Sequence, residues 1–136
     1  MIYKEKDLFD YLKSNFIPDL EQSGSSISRY DCSSTEYNLD IELKCRRKHY
    51  NDLLIEKGKY QALMKRSKEL GTIPVYVNST PDGVWAFYIQ DIDFKWETKN
   101  LPKQTDFGKR HWIPKEISYL NIGTQGVDIS LPLFGV

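Results

Sequence analysis

Three charged residues, Asp31, Glu42 and Lys44, have the types and spacing that metal-assisted phosphodiester hydrolysis requires. Glu42 and Lys44 are two residues apart in an alternating stretch, so they would project from the same face of a strand. Carboxylate oxygens are ligands that Mg²⁺ prefers, and a nearby ammonium group can orient water or neutralise developing charge. We therefore expect these side chains to hold a divalent metal beside a phosphate, with the backbone carbonyl of Leu43 as a further ligand.

Asp40 is an alternative to Asp31 for the role of the aspartate. It lies in the same alternating stretch as Glu42 and Lys44 and would share their face. A metal site needs ligands from two strands, and Asp40 is on the same predicted strand as Glu42, which favours Asp31. A Glu-x-Lys pair is not specific by itself, because it is also common on exposed strands, where it keeps an edge soluble.

The hydrophobic pattern predicts the order helix, strand, strand, helix, strand, strand, which is typical of a mixed α/β or α+β fold. No periodic signal follows, so residues 91–136 are expected to form an irregular extension apart from a short element at Lys115 to Tyr119. The predicted elements are a helix from Glu5 to about Phe16, strands at Ile27 to Cys32 and Leu39 to Arg46 around a turn at Ser33 to Asn38, a second helix that ends at Gly71, and strands at Ile73 to Val77 and Val84 to Ile89.

The start of the second helix has two interpretations. Asn51 or Asp52 can cap it, and Leu53 would then open its apolar face. Gly58 interrupts that pattern and lowers helix propensity, which favours a start near Ile55 instead.

The charges are unevenly distributed, although the formal net charge of the chain is zero. Residues 44–68 contain nine Lys and Arg against two acidic residues, a net charge of +7, so the rest of the chain carries −7. A basic segment beside a carboxylate cluster is typical of a protein that binds a phosphate backbone. Arg46, Arg47 and Lys48 directly follow the predicted strand, and we expect them to contact nucleic acid, although such runs are often only solvated surface.

Composition favours one globular domain over residues 1–136, without a membrane partner. The 136 residues are 40% hydrophobic and 28% charged, and no apolar run could cross a bilayer. The N-terminus lacks the apolar core of a signal peptide. Cys32 and Cys45 have no metal-ligand spacing and are expected to be reduced thiols, which points to a cytoplasmic protein, in the host if the chain comes from a phage.

The pattern Asp31…Glu42-x-Lys44, placed between an N-terminal helix and a basic helix, resembles the PD-(D/E)xK nuclease superfamily. The resemblance covers roughly residues 5–90. It implies a restriction-endonuclease-like core, in which a small mixed sheet is flanked by helices. It also implies that Asp31 and Glu42 bind Mg²⁺ or Mn²⁺ and that Lys44 assists the attacking water. The sequence departs from the usual Pro-Asp pair, because Tyr30 precedes Asp31.

Two further residues match positions that many members of this superfamily use. Glu5 matches a glutamate that resolvases add from the first helix. An acidic residue at a helix start is also explained by its favourable interaction with the helix dipole. Lys59 matches a polar or basic residue on the helix after the lysine strand.

The resemblance implies an Mg²⁺-dependent endonuclease acting on structured or double-stranded DNA. A stand-alone, phage-type junction or recombination nuclease that works as a homodimer is the version we predict. One alternative is a non-catalytic nucleic-acid-binding or assembly module with the same fold. Another is a protein-interaction domain whose basic segment docks on an acidic partner.

Overall fold

The computed structural model describes residues 2–22, 31–104 and 110–131. It contains two long helices, one short helix and nine strands in these residues, and a 3-10 turn at Ile89–Asp91. The elements are α1 (Glu5–Asn15), β1 (Glu21–Gln22), β2 (Asp31–Ser34), β3 (Leu39–Cys45), β4 (Asp52–Glu56), α2 (Lys57–Leu70), β5 (Ile73–Thr80), β6 (Gly83–Tyr88), β7 (Glu97–Gln104), β8 (Arg110–Asn121), α3 (Ile122–Gln125) and β9 (Val127–Asp128).

A six-stranded mixed sheet forms the centre of the fold, in the order β1-β2-β3-β5-β6-β9. β3 and β5 run parallel, and the other neighbouring strands are antiparallel. α1 covers one face, where its Leu8 and Leu12 share a core with Ile41 and Leu43 of β3. These odd-numbered residues of β3 point away from the even-numbered charged ones, because side chains alternate along a strand. α2 supplies contacts to that second, charged face.

A smaller antiparallel sheet, in the order β4-β8-β7, joins the central sheet through a second core. Leu53 of β4, Leu63 of α2, Phe87 of β6 and Leu120 of β8 are buried together there. This core fixes the position of α2, since Leu63 lies on the helix that also contacts the charged face of β3.

The predicted fold class is confirmed: the protein is a mixed α+β fold with a mixed central sheet and flanking helices. The predicted irregularity of residues 91–136 is wrong where the structure describes them, because β7 and β8 form a long antiparallel pair. Residues 105–109 and 132–136 lie outside the described residues. Within the described parts of the chain, no helix combines the length and the apolar character that crossing a membrane requires.

The predicted helix start at Asn51 or Asp52 is wrong, because residues Asp52–Glu56 form β4. The alternative start near Ile55 is two residues too early, since α2 begins at Lys57. Leu53 and Ile55 are buried while their neighbours are more exposed, which is the period of a strand. The partner is β8, which pairs Asp52 with Asn121 from far along the sequence. Gly58 therefore lies in the first turn of α2 and does not interrupt the middle of the helix.

The first predicted hairpin is correct in outline and shifted in its bounds. β2 extends to Ser34, so the turn is limited to residues 35–38. Asn38 adopts a left-handed conformation with φ of 55°, and its side-chain amide donates a hydrogen bond to the carbonyl of Gly71. Residues 27–30 of the predicted first strand lie outside the described residues.

We expect Gly83→Ala to destabilise the protein by about 1–3 kcal/mol. Gly83 has a φ of 156°, and an added Cβ would overlap the Ser130 hydroxyl and press on the Trp85 ring. Gly58→Ala is the matched control, since a Cβ there meets no atom within 4 Å and alanine favours the helix. Urea unfolding followed by circular dichroism measures both variants, and equal free energies of unfolding would contradict this prediction.

Candidate active site

Asp31 and Glu42 are directly opposite each other on the antiparallel strands β2 and β3. Residues opposite each other in such a pair share a sheet face, with Cβ atoms about 5 Å apart. Both side chains are mostly buried, at 13% and 14% exposure. Lys44 lies two residues beyond Glu42, on the same face of β3, and is exposed. The structure therefore places the three predicted residues on one face, with the carboxylates inside and the ammonium group toward solvent.

Lys59 of α2 reaches the same face. Its Nζ lies 3.2 Å from Oε1 of Glu42, so the predicted site includes a helix residue in direct contact with a carboxylate. A cleft of about 480 Å³ opens beside Lys59 and is also lined by Lys57, Gln61 and Lys115. Two glutamates of the same lining pair with these lysines, Glu116 with Lys57 and Glu56 with Lys115, so Lys59 is the basic residue of this cleft that contacts the acidic face.

Sequence reasoning missed Arg66, which contacts two carboxylates from α2. Its Nε donates to Oδ2 of Asp40 at 2.5 Å, and its Nη1 donates to Oδ2 of Asp31 at 3.2 Å. Asp40 is 1% exposed and the Arg66 side chain is 28% exposed, so the ion pair is buried at the carboxylate and partly exposed at the guanidinium. A signal was present in the sequence, because Arg66 follows Lys59 by seven residues, which is two helical turns and the same helix face.

Burial raises the pKa of Glu42 to about 7 from its usual value of 4.5. A protonated Glu42 can also donate a hydrogen bond to Asp31, and the negative charge of Asp31 opposes ionisation. The positive charge of Lys59 acts in the opposite direction and does not cancel these effects. When two desolvated carboxylates oppose each other's ionisation, a bound cation stabilises their charged forms.

The pKa of Glu42 predicts how stability changes with pH in the absence of metal. Between pH 4.5 and pH 7 the folded protein binds more protons than the unfolded chain, so stability falls as the pH rises through that window. We expect wild type to lose on the order of 2 kcal/mol more than Glu42→Gln between pH 4.5 and pH 8 in EDTA. Urea unfolding at a series of pH values measures the difference. Parallel pH curves for the two proteins would contradict the prediction.

The residues present fit a divalent cation held by two carboxylates. Oδ1 of Asp31 is buried and has no hydrogen-bond partner among the described residues, so it has an unused lone pair at the site. No three His, Cys, Asp or Glu side chains in those residues converge as a metal site. Mg²⁺ is commonly bound through one or two carboxylates and several waters, so Asp31, Glu42 and the predicted carbonyl of Leu43 are sufficient in number.

Glu5 is not among the residues that contact the carboxylates. It begins α1, the helix that covers the opposite face of the central sheet. The pKa of the Cys45 thiol is raised to about 11, mainly by burial and next by the negative charge of Glu5. Glu5 therefore lies near Cys45, at the end of β3. The catalytic role of Glu5 stays a prediction, without a contact to Asp31 or Glu42 that would support it.

The basic run after β3 divides into one internal and two surface residues. Arg46 donates from Nε to Oδ1 of Asn78 at 2.7 Å and from Nη2 to the carbonyl of Leu54. These bonds tie the end of β3 to β5 and β4, and the DNA contact predicted for Arg46 stays a prediction. Arg47 and Lys48 are exposed and stay candidates for phosphate contacts.

No protein-family model matches the chain, and no curated protein matches it either. Its structure is similar to that of Hjc, a Holliday junction resolvase from the archaeal hyperthermophile Archaeoglobus fulgidus. The TM-score is 0.57 at 15% sequence identity, and the match covers 92% of this chain and 88% of the resolvase chain. The fold is resolvase-like.

This similarity confirms the predicted fold, which this chain shares with a Holliday junction resolvase. The restriction-endonuclease-like core predicted from residues 5–90 is therefore present. The match extends well beyond that range, since it covers 92% of the chain. At 15% identity the comparison concerns the fold, and the roles of individual residues depend on the geometry described above.

Proposed function

We propose that this protein is a metal-dependent deoxyribonuclease that hydrolyses phosphodiester bonds as an endonuclease. The observation that carries the proposal is the pairing of Asp31 with Glu42 across two strands, with Lys44 on the same face. The resolvase-like fold supports the same class of activity.

Asp31 and Glu42 would hold Mg²⁺ or Mn²⁺, with the carbonyl of Leu43 as a further ligand. A bound ion of this kind polarises a phosphate oxygen and lowers the pKa of water. Lys44 can donate a hydrogen bond to the attacking water, and its charge opposes the negative charge that builds up on the phosphate. Lys59 can bind a phosphate oxygen, because its ammonium group already lies at the acidic face and is partly exposed.

Structured DNA is the substrate that we propose, in particular four-way or branched DNA. The supporting observation is the fold, which is shared with a protein described as a Holliday junction resolvase. Resolving a junction requires two strand cuts, so we propose a homodimer with one site in each copy. Measuring the mass in solution by light scattering tests this point, and a strictly monomeric protein on junction DNA would contradict it.

Arg47 and Lys48 are expected to contribute to DNA affinity without contributing to catalysis. Because each phosphate contact releases counterions, their joint replacement by alanine is expected to weaken binding about 10-fold at low salt and to lower the salt dependence by about two ion equivalents. The matched control is joint replacement of the exposed lysines Lys95 and Lys99, which removes the same charge from another region. Fluorescence anisotropy in EDTA measures binding without cleavage. An equal loss in both double variants would indicate a general charge effect.

A cleavage assay on linear, nicked, single-stranded and four-way-junction DNA tests the proposed activity. We expect cleavage with Mg²⁺ or Mn²⁺, none in EDTA, and the highest rate on the junction. Metal-dependent cleavage without a preference for the junction would support the proposed nuclease activity and contradict the proposed junction substrate. No cleavage of any DNA by folded protein with Mn²⁺ would reject the nuclease.

One observation favours the non-catalytic alternative. Lys59 and Arg66 already form ion pairs with Glu42 and Asp31, and such pairs also occur in proteins that use a charged face only for stability. A binding module would bind DNA equally well with and without Mg²⁺, and Glu42→Gln would leave that affinity unchanged. The pairing of Asp31 with Glu42 across two strands favours the nuclease, because it offers two carboxylates to one cation on the same sheet face.

A further inference from the structure

The contacts of Arg66 divide the two aspartates on the acidic face into different roles. Asp40 is 1% exposed and takes the shorter contact, at 2.5 Å from Nε of Arg66. Asp31 is less buried and takes the longer contact, at 3.2 Å from Nη1. Each aspartate uses one oxygen in these contacts, since Oδ1 of Asp31 and Oδ1 of Asp40 both have no partner among the described residues, and what separates the two is the strand register.

Asp40 is poorly placed to bind the same ion as Glu42. The two residues are on one strand, two positions apart, which separates their Cα atoms by about 7 Å. The residue opposite Asp40 on β2 is Ser33, whereas the residue opposite Glu42 is Asp31. Asp40 is therefore better suited to anchor the guanidinium than to ligate a metal.

The charges are consistent with such an anchor. The guanidinium offers one positive charge to two carboxylates, so it does not balance both of them while it holds Oδ2 of Asp31 by Nη1. A planar guanidinium can bind two carboxylates in a fixed geometry, which a lysine ammonium group cannot do. The pair thus fixes the rotamer of Asp31 without neutralising it.

We propose that Arg66, anchored on Asp40, is a positioning residue that holds Asp31 by Oδ2 and leaves Oδ1 for the divalent cation. This inference rests on the proposed function, since it concerns the same site. It assigns roles to two residues that do not themselves contact the metal or the DNA. It also accounts for an ion pair at a buried aspartate, which by itself contributes little to stability compared with apolar side chains of similar size.

The double variant Arg66→Met/Asp40→Leu tests the inference. It removes Arg66 and Asp40 together, so Asp31, which has the longer of the two contacts, is the carboxylate that loses a partner. The protein is therefore expected to fold, with a thermal midpoint lowered by a few degrees at most. We expect Mn²⁺ affinity, measured by calorimetry without DNA, to fall about 10-fold, because the carboxylate of Asp31 is no longer oriented. In the cleavage assay, kcat is expected to fall 10- to 100-fold while KM for DNA changes less than 3-fold.

Two further variants sharpen the test. Arg66→Lys keeps the positive charge and loses the planar guanidinium that contacts both aspartates. It is therefore expected to fold normally and to bind Mn²⁺ about 5-fold more weakly. Lys68→Met, an exposed change on the same helix, is the control and is expected to match wild type in Mn²⁺ affinity and kcat.

The outcomes separate this inference from the proposed function. Wild-type protein that binds Mn²⁺ and cleaves DNA, with an unchanged double variant, would overturn only the positioning role of Arg66. Wild-type protein that neither binds Mn²⁺ nor cleaves any DNA would overturn the proposed function and this inference together. A folded double variant with weak Mn²⁺ binding and low kcat would support both.

Discussion

Glu42→Gln is expected to lower kcat for Mg²⁺-dependent DNA cleavage by about 1,000-fold, and Lys44→Ala by about 100-fold. Glutamine has the size of glutamate and lacks its charge, so the loss reports on the metal ligand and not on packing. Glu42 is only 14% exposed, which limits how far water can replace the missing carboxylate. Lys44 is exposed on the same strand face, and removing it leaves the carboxylates in place.

Three measurements make this prediction specific. Glu69→Gln is the matched control, since it makes the same chemical change at an exposed position of α2. DNA binding in EDTA is expected to stay within 3-fold of wild type for Glu42→Gln, and the thermal midpoint is not expected to fall. Cleavage by Glu42→Gln at a rate close to that of wild type would contradict the assignment of Glu42 as a metal ligand.

Phe87→Ala is expected to destabilise the protein by about 3–5 kcal/mol, because it empties the centre of the second core. The ring is 0% exposed and lies among side chains from β4, α2 and β8. It also lies under the chain at Gly126, where an added Cβ would come within 3.2 Å of the ring. The ring therefore supports the central sheet, the smaller sheet and α2 at the same time.

Tyr88→Ala provides the control for this core variant. Tyr88 is the next residue on β6, points to the other side of the strand and is 42% exposed. We expect its removal to cost less than about 1 kcal/mol. Urea unfolding of both variants measures the difference, and similar losses would show that the second core is loosely packed around Phe87.

The elements that depend on neighbours in sequence were predictable. The alternation from Leu39 to Cys45 correctly predicted β3, with its apolar face in the core under α1 and its charged face toward α2. The hairpin that brings Asp31 opposite Glu42 was predictable for the same reason, since both strands are separated by a short turn.

The elements that depend on distant partners were not predictable in the same way. The residues of β4 have both a short strand period and apolar side chains that suit a helix, and the choice between them depends on β8. The β7–β8 pair contains few apolar alternations, because much of it is exposed, so its sequence has no clear period. Arg66 could be assigned to a helix face but not to Asp40, because nothing local links residues 26 positions apart.

The connection between β4 and β8 has a consequence for the order in which the protein is built. Asp52 and its hydrogen-bond partner Asn121 are 69 residues apart, whereas Asp31 and Glu42 meet across a single tight turn. During synthesis the carboxylate pair can form as soon as its hairpin leaves the ribosome, but β4 must wait until β8 has emerged. Until then Leu53 and Ile55 lack the strand they pair with, so nascent chains stalled before residue 110 are the forms most exposed to aggregation and proteolysis.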